Sequence, residues 1–251
     1  YYFDSREKFV THLMDELSSE RIEINMINGE GVGIDEEDSR LLNLELIKQG
    51  LSQGMIFDKD GHVHSPRDVF YKKVPLVLRG SFRPPTHVNF DMIENGFKQL
   101  KKVIPNEKHK NILVLPEISM AKLLERGKVD NQDFLTRVDL LCALGHKVFV
   151  TNKKDYFDLN MYLMSLTSED IFFVAGVYNL QHIFKAGTYK NHPQGIVSGI
   201  GELFSRRTKM LVYPGLHEKK KTLMTAGNVD IGRRLKLLYD YLHSVGQLID
   251  I

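Results

Sequence analysis

Apolar positions along this chain alternate between two rhythms. Short unbroken apolar runs, among them PLVL, ILVL, VFV and IFFV, mark candidate strands at residues 54–57, 75–78, 111–115, 147–151, 171–175 and 209–213. Runs with no polar alternation suit strands covered by helices on both faces. A further strand is expected at 21–27, where Ile22, Ile24 and Met26 alternate with polar residues. Between these runs, apolar residues recur at helical spacing. Phe9, Val10, Leu13, Met14 and Leu17 do so within 6–17, and Leu41, Leu42, Leu44, Leu46 and Ile47 within a helix capped near Asp38 or Ser39. Helices are also expected at 88–103, 118–126, 131–144, 154–165, 179–184, 195–205 and 231–245.

Strands alternating with helices predict an α/β, Rossmann-like fold with a mostly parallel sheet and helices on both faces. The rhythm is interrupted at Tyr71-Lys72-Lys73. This divides the chain into an N-terminal α/β portion, 1–73, and a Rossmann-like portion, 74–251, unless the first adds strands to the sheet of the second. The longest loops, 185–193 and 216–228, are basic and contain glycine, as lids over a site would.

Composition narrows the function classes. The chain has 251 residues, 42% hydrophobic and 26% charged, enough for a sizeable core. A net charge of +2 gives no global attraction to nucleic acid or to an anionic membrane. The single cysteine, Cys142, rules out a disulfide framework and a multi-cysteine metal site, and its apolar surroundings predict a buried, inert thiol. No apolar run has the length of a membrane span, and no basic-then-apolar leader opens the chain. A cytoplasmic protein is expected, with a homo-oligomer left open. Tyr1 in first place points to a fragment or a processed product.

In a parallel sheet the strand C-terminal ends share one edge, where ligands bind. The polar residues at those ends are Arg79-Gly80-Ser81, Pro116-Glu117, Thr151-Asn152, Gly176 and Pro214-Gly215. The densest group lies in residues 74–92, VPLVLRGSFRPPTHVNFDM. Gly80 permits a sharp exit from the strand, and Thr86 is a suitable N-cap. A helix N-terminus attracts phosphate, to which Arg79, Arg83 and His87 would add donors. Arg79, Gly80, Ser81, Arg83, Thr86 and His87 therefore form a candidate phosphate or nucleotide cradle, with Glu117, Thr151 and Asn152 lining the same cleft. The plain alternative is a turn with a capped helix.

The string G-S-F-x-P-x-T resembles the first motif of the nucleotidyltransferases that include nicotinamide and nicotinate mononucleotide adenylyltransferases. The resemblance implies that Gly80, Ser81, Phe82, Pro84 and Thr86 surround ATP phosphates. Asn89 stands where that motif ends in His, and the second motif of the family has only a poor counterpart at 225–234. Through the strings YKKVPLVLRGSFRPPTHVN at 71–89, ILVLPEISMAKLLERGKVDNQDFLTRVDLLCALGHKVFVTN at 112–152 and RRLKLLYDYL at 233–242, the chain also resembles, across nearly its whole length, a bacterial family of longer Rossmann-like proteins, a resemblance that implies no particular activity.

A second string, GMIFDKDGHV at 54–63, resembles the first motif of haloacid-dehalogenase-like phosphatases. It implies Asp58 as nucleophile, Asp60 as general acid/base and Mg²⁺ bridging carboxylate and phosphate. The run ending in Thr151 resembles the second motif of that family, but the strands at 171–175 and 209–213 end in glycine or Pro-Gly rather than metal-binding carboxylates. The alternative for Asp58–Gly61 is a turn into a hairpin arm at His62-Val63-His64. The sequence thus predicts a binder of a phosphorylated small molecule or nucleotide, with Mg²⁺ if it is a nucleotidyl- or phosphoryl-transfer enzyme. The rival readings are the Asp58/Asp60 phosphatase and a non-catalytic Rossmann-like interaction module.

Overall fold

The computed structural model describes residues 5–13, 22–28, 36–205, 207–217, 219 and 221–251. In chain order the elements are α1 (Arg6–His12), α2 (Glu36–Lys48), β1 (Gly54–Phe57), β2 (Val63–His64), α3 (Pro66–Phe70), β3 (Val74–Arg79), α4 (His87–Val103), β4 (Ile112–Ser119), α5 (Met120–Leu123) and α6 (Asn131–Ala143). They continue with β5 (Val148–Thr151), α7 (Tyr156–Leu166), β6 (Ile171–Gly176), α8 (Val177–Ile183), α9 (Gly195–Leu203), β7 (Thr208–Tyr213), β8 (Gly215–Leu216), β9 (Leu223–Met224), α10 (Lys236–Ser244) and β10 (Leu248–Asp250). The fold is α/β and Rossmann-like, with mostly parallel strand pairs. No described helix is long and apolar enough to cross a membrane.

The chain divides into two compact units, each discontinuous in sequence. The first comprises Tyr1–Tyr71, Gly80–Pro85 and Leu115–Lys154, and the second Lys72–Arg79, Thr86–Val114 and Asp155–Ile251.

In the second unit the strand order is β10-β7-β6-β3, with every pair parallel. Neighbouring side chains on a strand face opposite ways. On β6, Val174 meets Gly96 of α4, and Phe173 makes an edge contact with Tyr156 of α7 at 5.6 Å. Helices therefore cover both faces, which is why these strands read as unbroken apolar runs. Buried Asn160 of α7 joins the elements: its Nδ2 donates to the carbonyls of Glu202 and Leu203, and its Oδ1 accepts from the Thr208 hydroxyl. The two basic loops are held down. In the first, Tyr189 is buried and stacks on Phe157. The second folds into the β8–β9 hairpin and is tied back where the Tyr239 hydroxyl donates to the Ala226 carbonyl.

In the first unit β4 pairs with β5 in parallel, while β1 runs antiparallel to both β5 and β2. Phe57 of β1 packs edge-on against Phe134 of α6, and Phe149 of β5 against Phe70 of α3. Phe57 is opposite Val148, and Ile56 is opposite Phe149, so α6 and α3 cover different faces.

Several expectations change. The described part of the strand expected at 21–27 belongs to no ladder, and Ile24 N–H donates to Leu51 O. The Asn43 carboxamide accepts from Ile27 N–H and donates to Ile27 O, replacing a strand partner. The helix expected at 6–17 lies, beyond residue 13, outside the described residues. The helix expected at 118–126 is displaced, because β4 continues through Pro116 and Glu117 to Ser119, paired to β5 at Glu117↔Phe149 and Ser119↔Thr151. The last helix starts at Lys236 rather than 231, behind a 3-10 turn at Arg233–Leu235.

Candidate functional site

The C-terminal ends of β3, β6 and β7 share one edge of the second unit. Leu78 is in register with Val174, which puts Arg79 level with Ala175, and Gly176 is in register with Tyr213. Within this unit β6 continues through α8 to its parallel neighbour β7, whereas β3 and β6, although paired, are not consecutive in the chain. Crevices form beyond such strand ends in open α/β sheets. Arg79 presents its guanidinium to the ring of Tyr156, 5.3 Å from the centroid, a cation–π contact that orients the charge. At Gly176 a Cβ would meet nothing within 4 Å, which leaves the backbone between β6 and α8 open to close approach.

Thr86 and His87 begin α4 and are exposed. Asn89 folds back so that its Oδ1 accepts both the Thr86 N–H at 2.8 Å and the Thr86 hydroxyl at 2.9 Å. The residue standing in place of the nucleotidyltransferase His is thus a helix cap. One turn further along α4, Asp91 accepts from the Tyr213 hydroxyl, and that hydrogen bond, helped by burial, raises the Tyr213 pKa.

Gly80, Ser81 and Arg83 belong to the first unit, where internal packing accounts for each of them. A Cβ on Gly80 would lie 3.0 Å from the buried Phe82 ring, so any other residue there would have to push that ring aside by a few tenths of an ångström. Gly80 N–H donates to Glu117 O. The Ser81 carbonyl accepts from Arg137 Nη1 at 3.0 Å, and Asp133 pairs with both Arg137 and, at 3.0 Å, Arg83 Nε. The Arg83 charge is therefore shared with a carboxylate. Arg137, buried on α6, was not singled out in the sequence; its only signal there is the i,i+4 spacing from Asp133.

Glu117 lies within β4, not beyond it, and is fully buried. The Thr151 hydroxyl donates to it at 2.6 Å and accepts from Lys153 N–H at 3.2 Å. Asn152 donates its N–H to Gln53 O and its Nδ2 to Ser52 O, while its buried Oδ1 has no partner among the described residues. These residues form an internal polar lock across β4 and β5.

The haloacid-dehalogenase-like strings are separated by register. Gly54 lies opposite Thr151 and Phe57 opposite Val148, so Asp58 follows the end of β1 remote from Thr151. Three residue steps of strand are about 10 Å. Asp58 Oδ1 accepts from the N–H groups of Asp60 and His62, both at 3.0 Å, and Oδ2 lies 2.5 Å from His64 Nε2. Burial raises its pKa, but the hydrogen bonds from His64, Asp60 and His62 outweigh this and lower it overall. A nucleophilic carboxylate needs an uncommitted oxygen, and Asp58 has committed both. Asp58, Asp60 and His62 offer atoms within 4.8 Å of one another. Mg²⁺ fits this set poorly, since it requires octahedral oxygen ligands and one donor here is imidazole.

No protein-family model matches the chain, and no curated protein matches its sequence.

Proposed function

We propose that the second unit binds a phosphorylated small molecule, a nucleotide by preference, beyond the C-terminal ends of β3 and β6. In this reading Arg79 and the first turn of α4, Thr86 and His87, receive the phosphate, and Gly176 lets the ligand approach the backbone. Mg²⁺ would arrive with the ligand as its phosphate counter-ion. The observation that carries the proposal is Arg79: a guanidinium held over Tyr156 at the end of β3, level with the end of β6. The reading assigns binding and no catalytic group, because Asp58 is committed to its loop and Glu117 to Thr151.

The test is calorimetric titration of ATP, nicotinamide mononucleotide, NAD and sugar phosphates, each with and without Mg²⁺. One of them binds, and Arg79→Gln weakens it by about 10- to 100-fold, the loss of a charge-assisted hydrogen bond. Arg83→Ala leaves the affinity within about twofold, since Arg83 is spent on Asp133. Wild-type affinity in Arg79→Gln would refute the site. No binding of any phosphate compound would leave the interaction-module reading in its place.

A further inference from the structure

Strand β7 carries a residue that its surroundings do not call for. It is paired on both sides, with β6 and β10, and Thr208, Met210, Leu211 and Val212 are buried. Strands so placed are apolar as a rule. Lys209 stands among them, half-buried, its ammonium 5.7 Å from the centroid of the Phe172 ring. Among the described residues its side chain has no ion pair and no hydrogen bond.

Lys209 lines a cavity of about 520 Å³ whose other walls are mainly apolar: Val197, Ile200 and Phe204 on one side, Leu238, Tyr241 and Val245 on the other. Val197 is 70% exposed and Tyr241 60%, so the cavity is a groove whose apolar walls are left open by the described residues. Gln247 also lines it, but its Nε2 is spent on the carbonyls of Phe204 and Ser205. Gly201 lies on the α9 wall, where a Cβ would meet nothing within 4 Å. Glycine inside a helix costs stability relative to alanine, and no close packing among the described residues requires it here. The groove is at the start of β7, the opposite end from Tyr213, and does not depend on the nucleotide reading.

We propose that this groove binds a single-chain aliphatic carboxylate. The hydrocarbon lies along Val197, Gly201, Tyr241 and Val245, and the carboxylate meets the Lys209 ammonium. An apolar channel selects a hydrocarbon chain, and a lone ammonium beside an aromatic ring selects an anionic head. A neutral amphiphile leaves Lys209 uncompensated, and a cationic one is repelled.

Decanoate, decanol and decyltrimethylammonium are titrated into the wild-type protein, Lys209→Gln and Gly201→Leu, with binding read by calorimetry and by thermal melting. Decanoate binds and raises the melting temperature, decanol binds at least about tenfold more weakly, and the ammonium does not bind. Lys209→Gln reduces decanoate to the level of decanol. Gly201→Leu, which builds into open space, melts no lower than wild type without ligand and binds none of the three. The proposal is overturned if decanoate fails to bind the wild type, if decanol binds equally well, or if Lys209→Gln binds decanoate normally. It is also overturned if light scattering shows a dimer that Gly201→Leu dissociates, because a second copy would then occupy the groove.

Discussion

Replacing Arg137 with Met tests what holds the 80–85 loop in place. The wild-type guanidinium is 3% exposed; it donates to the Ser81 carbonyl at 3.0 Å and pairs with Asp133, which also holds Arg83. Met restores most of the volume, so the loss is mainly polar. Removing one partner of a buried ion pair costs about 3–5 kcal/mol when the other charge is left alone. Asp133 is not left alone, since it keeps Arg83 and is 22% exposed. The expected loss is therefore lower, about 2–3 kcal/mol, comprising the Ser81 hydrogen bond and half of the shared pairing. For a chain of this size that lowers the melting temperature by about 4–12 °C. Urea denaturation followed by circular dichroism measures it. Arg83→Met alone costs under about 1 kcal/mol, as a partly exposed pair should. The two arginines share one carboxylate, so the double variant loses more than the sum of the singles, by about 1 kcal/mol. A loss below about 0.5 kcal/mol in Arg137→Met, or strict additivity, would refute the claim that this pair anchors the loop.

Gly96→Ala places a Cβ 2.6 Å from Val174 Cγ2, and the overpacking costs about 1–3 kcal/mol despite the better helix propensity; Val174→Ala in the same chain restores most of it, as urea midpoints will show. Burial raises the Cys142 thiol to a pKa of about 11, so a disulfide reagent at pH 8 leaves it unmodified in the native protein and titrates it fully in denaturant. The folded Asp58 carboxyl titrates below its ordinary 3.8, so its stabilisation is complete above that value and fades as pH falls through the lower folded pKa. Asp58→Asn is therefore less stable than wild type at pH 6, and the gap narrows as the pH falls below 3.8; a gap unchanged with pH refutes the linkage.

What the sequence made legible follows from which signals are local. Strands β3, β6 and β7 appear as apolar runs because helices cover them on both sides, and α4 and α6 carry helical spacing with N-caps at Thr86 and Asp130. Strand direction is not local. The run at β1 looks like any other, yet its antiparallel pairing with β5 separates Asp58 from Thr151. Pro116 suggested a strand end, but the ladder to β5 carried β4 onward and buried Glu117 against Thr151. The GSF string drew attention for its glycine, and that glycine answers to Phe82, two residues away. Arg79 stood out as a strand-end cation, whereas Tyr156, which orients it, follows a different strand and carries no sign in the sequence. Strand β10 has only Leu248, Ile249 and Asp250, too few to show a period.

The interleaving of the two units sets an order on biosynthesis. The chain passes between them at 71/72, 79/80, 85/86, 114/115 and 154/155. Every residue of the first unit has left the ribosome once Lys154 emerges, while the second still lacks β6, β7 and β10. Strand β3 is finished at Arg79, and its partner β6 begins only at Ile171. During that interval β3 has no β6 to pair with, and a nascent strand edge of this kind is where a translating chain engages neighbouring polypeptides or a chaperone.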